Sequence, residues 1–239
     1  MTDLAPNQAI HRSLIMKYLR RVLFLVAYFG WVKHTMTRRV TTSVLGFSIT
    51  VPPTVFHPKY YFTSRFLGEY LSGLNLAGQR VLDAGSGSGV LSLAAASAGA
   101  SVTSVDINPA AVEATIENAR RNNLAGKILA LEMDLTAHPH IGNHGFDYVI
   151  SNPPYYDGEA ETITDRAFKR GTNKDFFKTF AALLPEILLP DGAAILVLSS
   201  DCDINACLKP FEDSQYVPRV IRRKRLIFET LSLIELRRI

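Results

Sequence analysis

From Gln79 onward, short runs rich in β-branched residues alternate with longer stretches of helical spacing, and few folds can use that order. Strand, helix, strand repeated along a chain builds a parallel sheet with helices on both faces. The pattern predicts strands over Arg80–Asp83, Ser101–Asp106, Ile128–Met133, Phe146–Ser151 and Ala193–Leu198. Helices are expected over Val90–Ala98, Ala110–Asn122 and Lys174–Leu189. Past Pro210 two further strands are expected, near Val217–Ile221 and Leu226–Leu236, joined by a basic turn at Arg222-Arg223-Lys224. The expected class is therefore α/β, with a seven-stranded, mostly parallel, Rossmann-like sheet.

Ahead of the sheet, residues 9–37 lack proline and predict a helix whose apolar centre is Val22–Val32. That centre is too short to span a bilayer, and no small-residue cleavage site follows Trp31. Packing against the main domain is expected; partner docking or peripheral membrane contact by residues 22–32 are the alternatives. From Thr41, alternation around Gly46 suggests a short hairpin or an extended arm, and Lys59–Leu74 places Phe62, Phe66, Leu67, Tyr70 and Leu71 at helical spacing. The expected organisation is an N-terminal helical segment, 1–40, and one domain, 41–239.

The first sheet strand runs into Asp83-Ala84-Gly85-Ser86-Gly87-Ser88-Gly89 and then a helix. Three glycines let backbone turn tightly and approach a ligand where a Cβ would collide. A P-loop is excluded because no Gly-Lys-Ser/Thr follows, and a dinucleotide fingerprint is disfavoured because Val90 stands where Gly or Ala is needed. Gly85, Gly87 and Gly89 behind an acidic residue instead resemble the S-adenosyl-L-methionine loop of class I methyltransferases. The next strand ends at Asp106, followed by Asn108, where a carboxylate can accept ribose hydroxyls. The third ends in Met133-Asp134-Leu135, where Asp134 could meet the adenine amine. One such Asp is commonly a helix cap or turn residue; three at successive strand ends point to a ligand.

The fourth strand stops at Asn152-Pro153-Pro154-Tyr155. Two prolines lack amide donors and hold the chain extended, so the Asn152 side chain and the last carbonyls face a cleft. The Asn152 and Pro153 carbonyls can accept both hydrogens of a planar NH2 group, and Tyr155 can stack on it. Such a nitrogen is a poor nucleophile; fixed acceptors favour the charge it develops as it attacks a sulfonium methyl.

The 239 residues are 47% hydrophobic, enough for a sizeable core. The net charge of +4 hides a split: residues 1–40 and 219–239 are strongly basic, while the centre is acidic. Asp157, Glu159, Glu161 and Asp165 follow the Asn-Pro-Pro-Tyr motif and would repel a polyanion unless the basic ends compensate. Cys202 and Cys207 match neither a zinc pair nor a redox pair, which suggests a reducing, cytoplasmic setting. His138, His140 and His144 are expected in a solvated loop, and no metal site is expected.

Several pieces together resemble the HemK-type protein-glutamine N5-methyltransferases. They are Val81–Val90, Asp106-Ile107-Asn108-Pro109, Asp134-Leu135, Asn152–Tyr155, Ala167–Gly171 and Glu229-Thr230-Leu231-Ser232. Amino-methyltransferases of adenine share Asn-Pro-Pro-Tyr, so the motif specifies nitrogen chemistry more than substrate. The resemblance implies methylation of a glutamine-type amide in a protein substrate, with a translation factor as candidate. The chain departs from that family at Pro58-Lys59-Tyr60-Tyr61-Phe62, where acidic and small polar residues are usual. Two rivals stand beside it: an RNA or DNA adenine-N6 methyltransferase gripping phosphate with its basic ends, and a non-catalytic cofactor-binding scaffold.

Overall fold

The structure, a computed structural model, describes residues 38–55, 57–58, 62–135, 145–154, 175–227 and 229–239. All the secondary structure described lies within one compact unit, Arg39–Ile239. It begins with a two-stranded hairpin, β1 (Val40–Val44) and β2 (Phe47–Val51), so the hairpin alternative holds. Leu45 and Gly46 both take positive φ in its two-residue turn, which is the geometry that matches strand twist.

The main sheet has seven strands: β3 (Arg80–Ala84), β4 (Ser101–Asp106), β5 (Ile128–Glu132), β6 (Phe146–Ser151), β7 (Leu188–Ser199), β8 (Tyr216–Arg225) and β9 (Thr230–Arg238). Their order is β5-β4-β3-β6-β7-β9-β8, and β9 alone runs antiparallel to its neighbours. Helices α1 (Phe62–Leu71), α2 (Val90–Ser97) and α3 (Pro109–Arg121) cover one face with the hairpin; α4 (Asp175–Ile187) and α5 (Ile204–Asp213) cover the other. Adjacent strand residues enter opposite cores. Val81 and Ile150 join the α1–α2 side, Leu82 and Val149 the α4–α5 side, as expected of strands buried on both faces. In α2, Ala94, Ala95 and Ala96 are fully buried, and their small side chains let the helix pack close.

The hairpin is anchored by two amides one turn apart on α3. Asn122 accepts from Ser48 N at 3.0 Å and donates to Ser48 O at 2.9 Å. Asn118 accepts from Thr50 N at 2.7 Å and donates to Thr50 O at 2.9 Å. Their i, i+4 spacing on a helix matches the i, i+2 spacing of one strand edge, so α3 satisfies the side of β2 that has no strand neighbour.

One element goes beyond the sequence expectations and one expectation is corrected. Residues 204–213 form α5, capped by Asp203 accepting from Ala206 N at 3.0 Å. Ile204, Cys207, Leu208 and Phe211 have helical spacing, but Pro210 suggests a break; it is accommodated inside the helix. The basic run Arg222-Arg223-Lys224 is not a turn. It lies in β8, and the connection to β9 follows Arg225. An edge strand tolerates charge along its length because only part of its surface is buried. Smaller shifts are the end of α1 at Leu71 and the end of β5 at Glu132. Among the described residues, no helix is long and apolar enough to cross a membrane.

Candidate active site

The chain leaves β3 toward β4 and β5 on one side, and leaves β6 toward β7 on the other. Where strand order reverses, the connections diverge and open a crevice at the carboxyl edge, the usual ligand position in such sheets. Ser151 Oγ donates to Ala84 O at 2.7 Å and ties the two strand ends together there. The glycine loop after β3 and Asn152 after β6 therefore stand on opposite lips of one crevice.

Gly85 N and Ser86 N both donate to Val105 O, at 2.9 and 3.0 Å, which folds the loop back over the end of β4. The three glycines all have positive φ, for two different reasons. Among the described residues a Cβ on Gly85 would meet nothing within 4 Å, and one on Gly87 only Val55 at 3.9 Å, so no described residue crowds their backbone. A Cβ on Gly89 would lie 2.9 Å from Thr115 Oγ1, so this glycine admits α3 against the start of α2. Asn118 Nδ2 also donates to Ser88 O at 2.9 Å, linking loop, helix and hairpin.

The carboxylates are unequal. Asp83 is 0% exposed beneath the loop; Ser92 Oγ donates to its Oδ2, and Ser92 and Ser104 hydroxyls lie 2.6 Å apart. Its Oδ1 has no partner among the described residues. Burial pushes its pKa up to about 7, against the lowering effect of the Ser92 hydrogen bond. Asp106 accepts from Gly87 N at 2.8 Å and Asn108 N at 2.9 Å. Burial raises its pKa as well, opposed by those amides. Asn108 caps α3, accepting from Ala110 N at 3.0 Å, and its Nδ2 donates to Thr54 O at 3.2 Å. Both ends of that amide are thus occupied inside the protein. Asp134 and Leu135 follow the end of β5, half-buried, and Leu135, like Met133 and Leu131, packs against the α4–α5 core.

Asn152 differs from these groups. Its Nδ2 donates to Ser64 Oγ of α1 at 3.0 Å, while Oδ1 is buried and accepts nothing among the described residues. Leaving a buried acceptor unmet costs about 1–3 kcal/mol, so such atoms call for an explanation. With the amide nitrogen held by Ser64, the carbonyl oxygen is the end of the side chain with bonding capacity to spare among the described residues. Pro153 is buried and Pro154 half-buried behind it. Thr63 Oγ1, adjacent to Ser64, is also buried without a partner among the described residues.

The structure thus gathers Asp83, Gly85, Gly87, Asp106 and Asn152 at one crevice, and turns Gly89 and Asn108 to internal packing and capping. Tyr155, the acidic residues 157–165, Ala167–Gly171, the three histidines and residues 22–32 lie outside the described residues. Sequence reasoning missed Ser64, which lies 88 positions from Asn152 and carries no local signal. Asn118 had one: it extends the buried face of α3 formed by Ala111, Ala114 and Thr115.

The backbone of Gly85 and Gly87, which no described residue crowds, and the Asn152 acceptor without a partner among the described residues fit a bound nucleoside-type cofactor and a second molecule. A tRNA1(Val) (adenine(37)-N6)-methyltransferase of Vibrio vulnificus is 36% identical over 130 residues, covering 50% of this chain and 51% of that protein. A ribosomal protein L11 methyltransferase of Leptospira interrogans is 30% identical over 123 residues, 51% of this chain and 41% of that one. The chain thus spans about half the length of the curated relatives it matches. Among solved structures, the T. thermophilus 16S rRNA N2 G1207 methyltransferase in complex with AdoMet and guanosine superposes with TM-score 0.60 at 24% identity, over 84% of this chain and 50% of that one. That likeness shows the fold. Residues 47–217 match the family described as "Methyltransferase small domain", and the chain belongs to that family of S-adenosylmethionine-dependent, class I methyltransferases.

Proposed function

We propose that this chain methylates a planar NH2 nitrogen held at Asn152-Pro153-Pro154-Tyr155, within a domain spanning residues 41–239. The observation that carries this reading is the buried Oδ1 of Asn152 at the crevice, which has no partner among the described residues. Asp106 and the backbone around Gly85 and Gly87 hold the cofactor, with Asp134 and Leu135 bordering its adenine end. When bound, S-adenosylmethionine supplies an electrophilic methyl group on a sulfonium centre. Asn152 Oδ1 and the Pro153 carbonyl accept the two N–H bonds of the substrate, which orients the nitrogen lone pair and favours the positive charge that grows on it. After transfer the nitrogen is acidic and loses one proton to water, so no strong base is required. Ser64 keeps the Asn152 amide in the orientation this needs.

Two acceptors share the chemistry. A glutamine side-chain amide is supported by the resemblance to the HemK-type enzymes, and the adenine N6 amine by the tRNA-modifying relatives. A reducing, cytoplasmic setting suits Cys202 and Cys207, which are thiols with sulfurs 4.0 Å apart. The test is methyl transfer from tritiated cofactor into lysate of a strain lacking the protein. Label is expected in macromolecule with wild type and not with Asn152→Ala; equal labelling by both would refute the proposal. Sensitivity of the label to protease or to nuclease separates amide from nucleobase.

A further inference from the structure

Strand β8 ends in four consecutive cations, Arg222 to Arg225. It is antiparallel to β9, which is antiparallel to β7, so β8 runs with the parallel strands and ends at the carboxyl edge, where Asn152 lies. Three strand spacings separate it from β6, about 14 Å. The ladder sorts the four side chains. Arg222 and Lys224 pair with Leu233 and Leu231 and turn toward α1, where they lie 5.5 and 5.8 Å from the Phe66 ring centre. Lys224 also meets Glu69 at 3.3 Å. Arg223 and Arg225 pair with Ser232 and Thr230 and turn to the opposite face. Both are exposed, and neither has an ion pair among the described residues.

Charge on an edge strand also deters pairing with other chains. That role suits Arg219, which stands alone among Val217, Pro218 and Val220, but it does not by itself require the other four of the strand's five cations to fall in its last four residues, at the carboxyl edge. Among the described residues no carboxylate forms an ion pair with either arginine: Glu69 is engaged by Arg65 and Lys224, and half-buried Glu229 accepts from Ser199 Oγ.

We propose that the Arg222–Arg225 end of β8 is a phosphate-binding rim that grips the backbone of an RNA substrate whose base reaches Asn152. The inference rests on the methyl-transfer reading of Asn152 and adds the substrate class. Arg223 and Arg225 are two residues apart on one face, about 6.8 Å, a spacing suited to neighbouring phosphates of one strand. Contacts of this kind position a nucleic acid and release counterions without reading sequence; the crevice selects the base. Regularly spaced phosphates match two arginines at this fixed separation more closely than the scattered carboxylates of a protein surface do.

The experiment titrates the full chain with fluorescein-labelled bulk tRNA across a salt series, comparing wild type with the double variant Arg223→Gln/Arg225→Gln. The variant is expected to bind about tenfold more weakly at low salt, with a log–log salt slope smaller by about 1.4–2. Its cofactor affinity, measured by calorimetry, should equal that of wild type. Unchanged tRNA affinity and slope would overturn the rim. So would wild-type label appearing only in protease-sensitive material that tRNA does not compete away. Asn152→Ala provides the separation: full methyl transfer by that variant would refute the reading of the motif, while the tRNA titration would still decide the rim.

Discussion

The two halves of the carboxyl edge treat their polar groups in opposite ways. On the β4–β3 side, Asp106 accepts two backbone amides, Asn108 is used at both ends, and Asp83 is buried against Ser92. On the β6–β8 side, Asn152 keeps an unmet carbonyl, and Arg223 and Arg225 have no acidic partner among the described residues. The first half spends its polar groups on shaping a loop; the second leaves them available. Substitutions on the first side should therefore disturb stability and cofactor affinity, and those on the second should disturb rate and substrate binding.

The largest expected effect tests the first side. Asp83 has its pKa raised from 3.8 to about 7, so the folded state binds its proton more tightly than the unfolded state. This contribution is fully present below about pH 4 and is lost as pH rises through about 7. At 1.36 kcal/mol per unit it amounts to about 4 kcal/mol. Urea unfolding of wild type and Asp83→Asn at several pH values should show wild type losing stability over that window and the variant losing less. Some pH dependence should persist in the variant, because burial raises Asp106 in the same direction. Parallel profiles would mean that Asp83 is not held as described.

Asn152→Ala should lower methyl transfer by about 10²–10³, the usual loss when one group stabilising a transition state is removed. Folding stability should change by no more than about 1 kcal/mol, because the deleted acceptor is already unmet. A large fall in melting temperature would break the contrast between the two halves. Asp106→Ala is intermediate in kind as well as size. Losing a carboxylate that organises Gly87 and Asn108 should weaken cofactor binding by about 10–100-fold, read by calorimetry. Ser64→Ala should have the smallest effect, about a tenfold fall in kcat with cofactor affinity unchanged, and Ser64→Thr should restore part of it. If kcat and cofactor affinity fell together in Ser64→Ala, the hydroxyl would be shaping the fold rather than orienting the amide.

What could be read in advance followed the range of the interaction. The Gly85–Gly89 loop, the Asp106 strand end and the Asn152-Pro153-Pro154 exit are local, and each residue type restricts its own backbone. Helix α5 was not predicted, although Ile204, Cys207, Leu208 and Phe211 have helical spacing and the helix accommodates Pro210. The β8 cations suggested a solvated turn because charge says that a residue meets water, not whether it does so from a turn or an edge strand. The different duties of Gly85 and Gly89 depend on Thr115, about thirty residues away in the chain, and no local pattern distinguishes them.

The amino-acid sequence by itself determined the alternating elements, the glycine loop and the stiff Asn152-Pro153-Pro154 exit, because these arise from backbone restriction and periodicity within a few residues. Tertiary structure decided the strand order, the crevice where β3 and β6 diverge, the Ser64 contact that orients Asn152, and the placement of four β8 cations on the same edge as that crevice. These depend on which distant strands pair and in which register, and that choice is made by burying two cores at once rather than by any one segment.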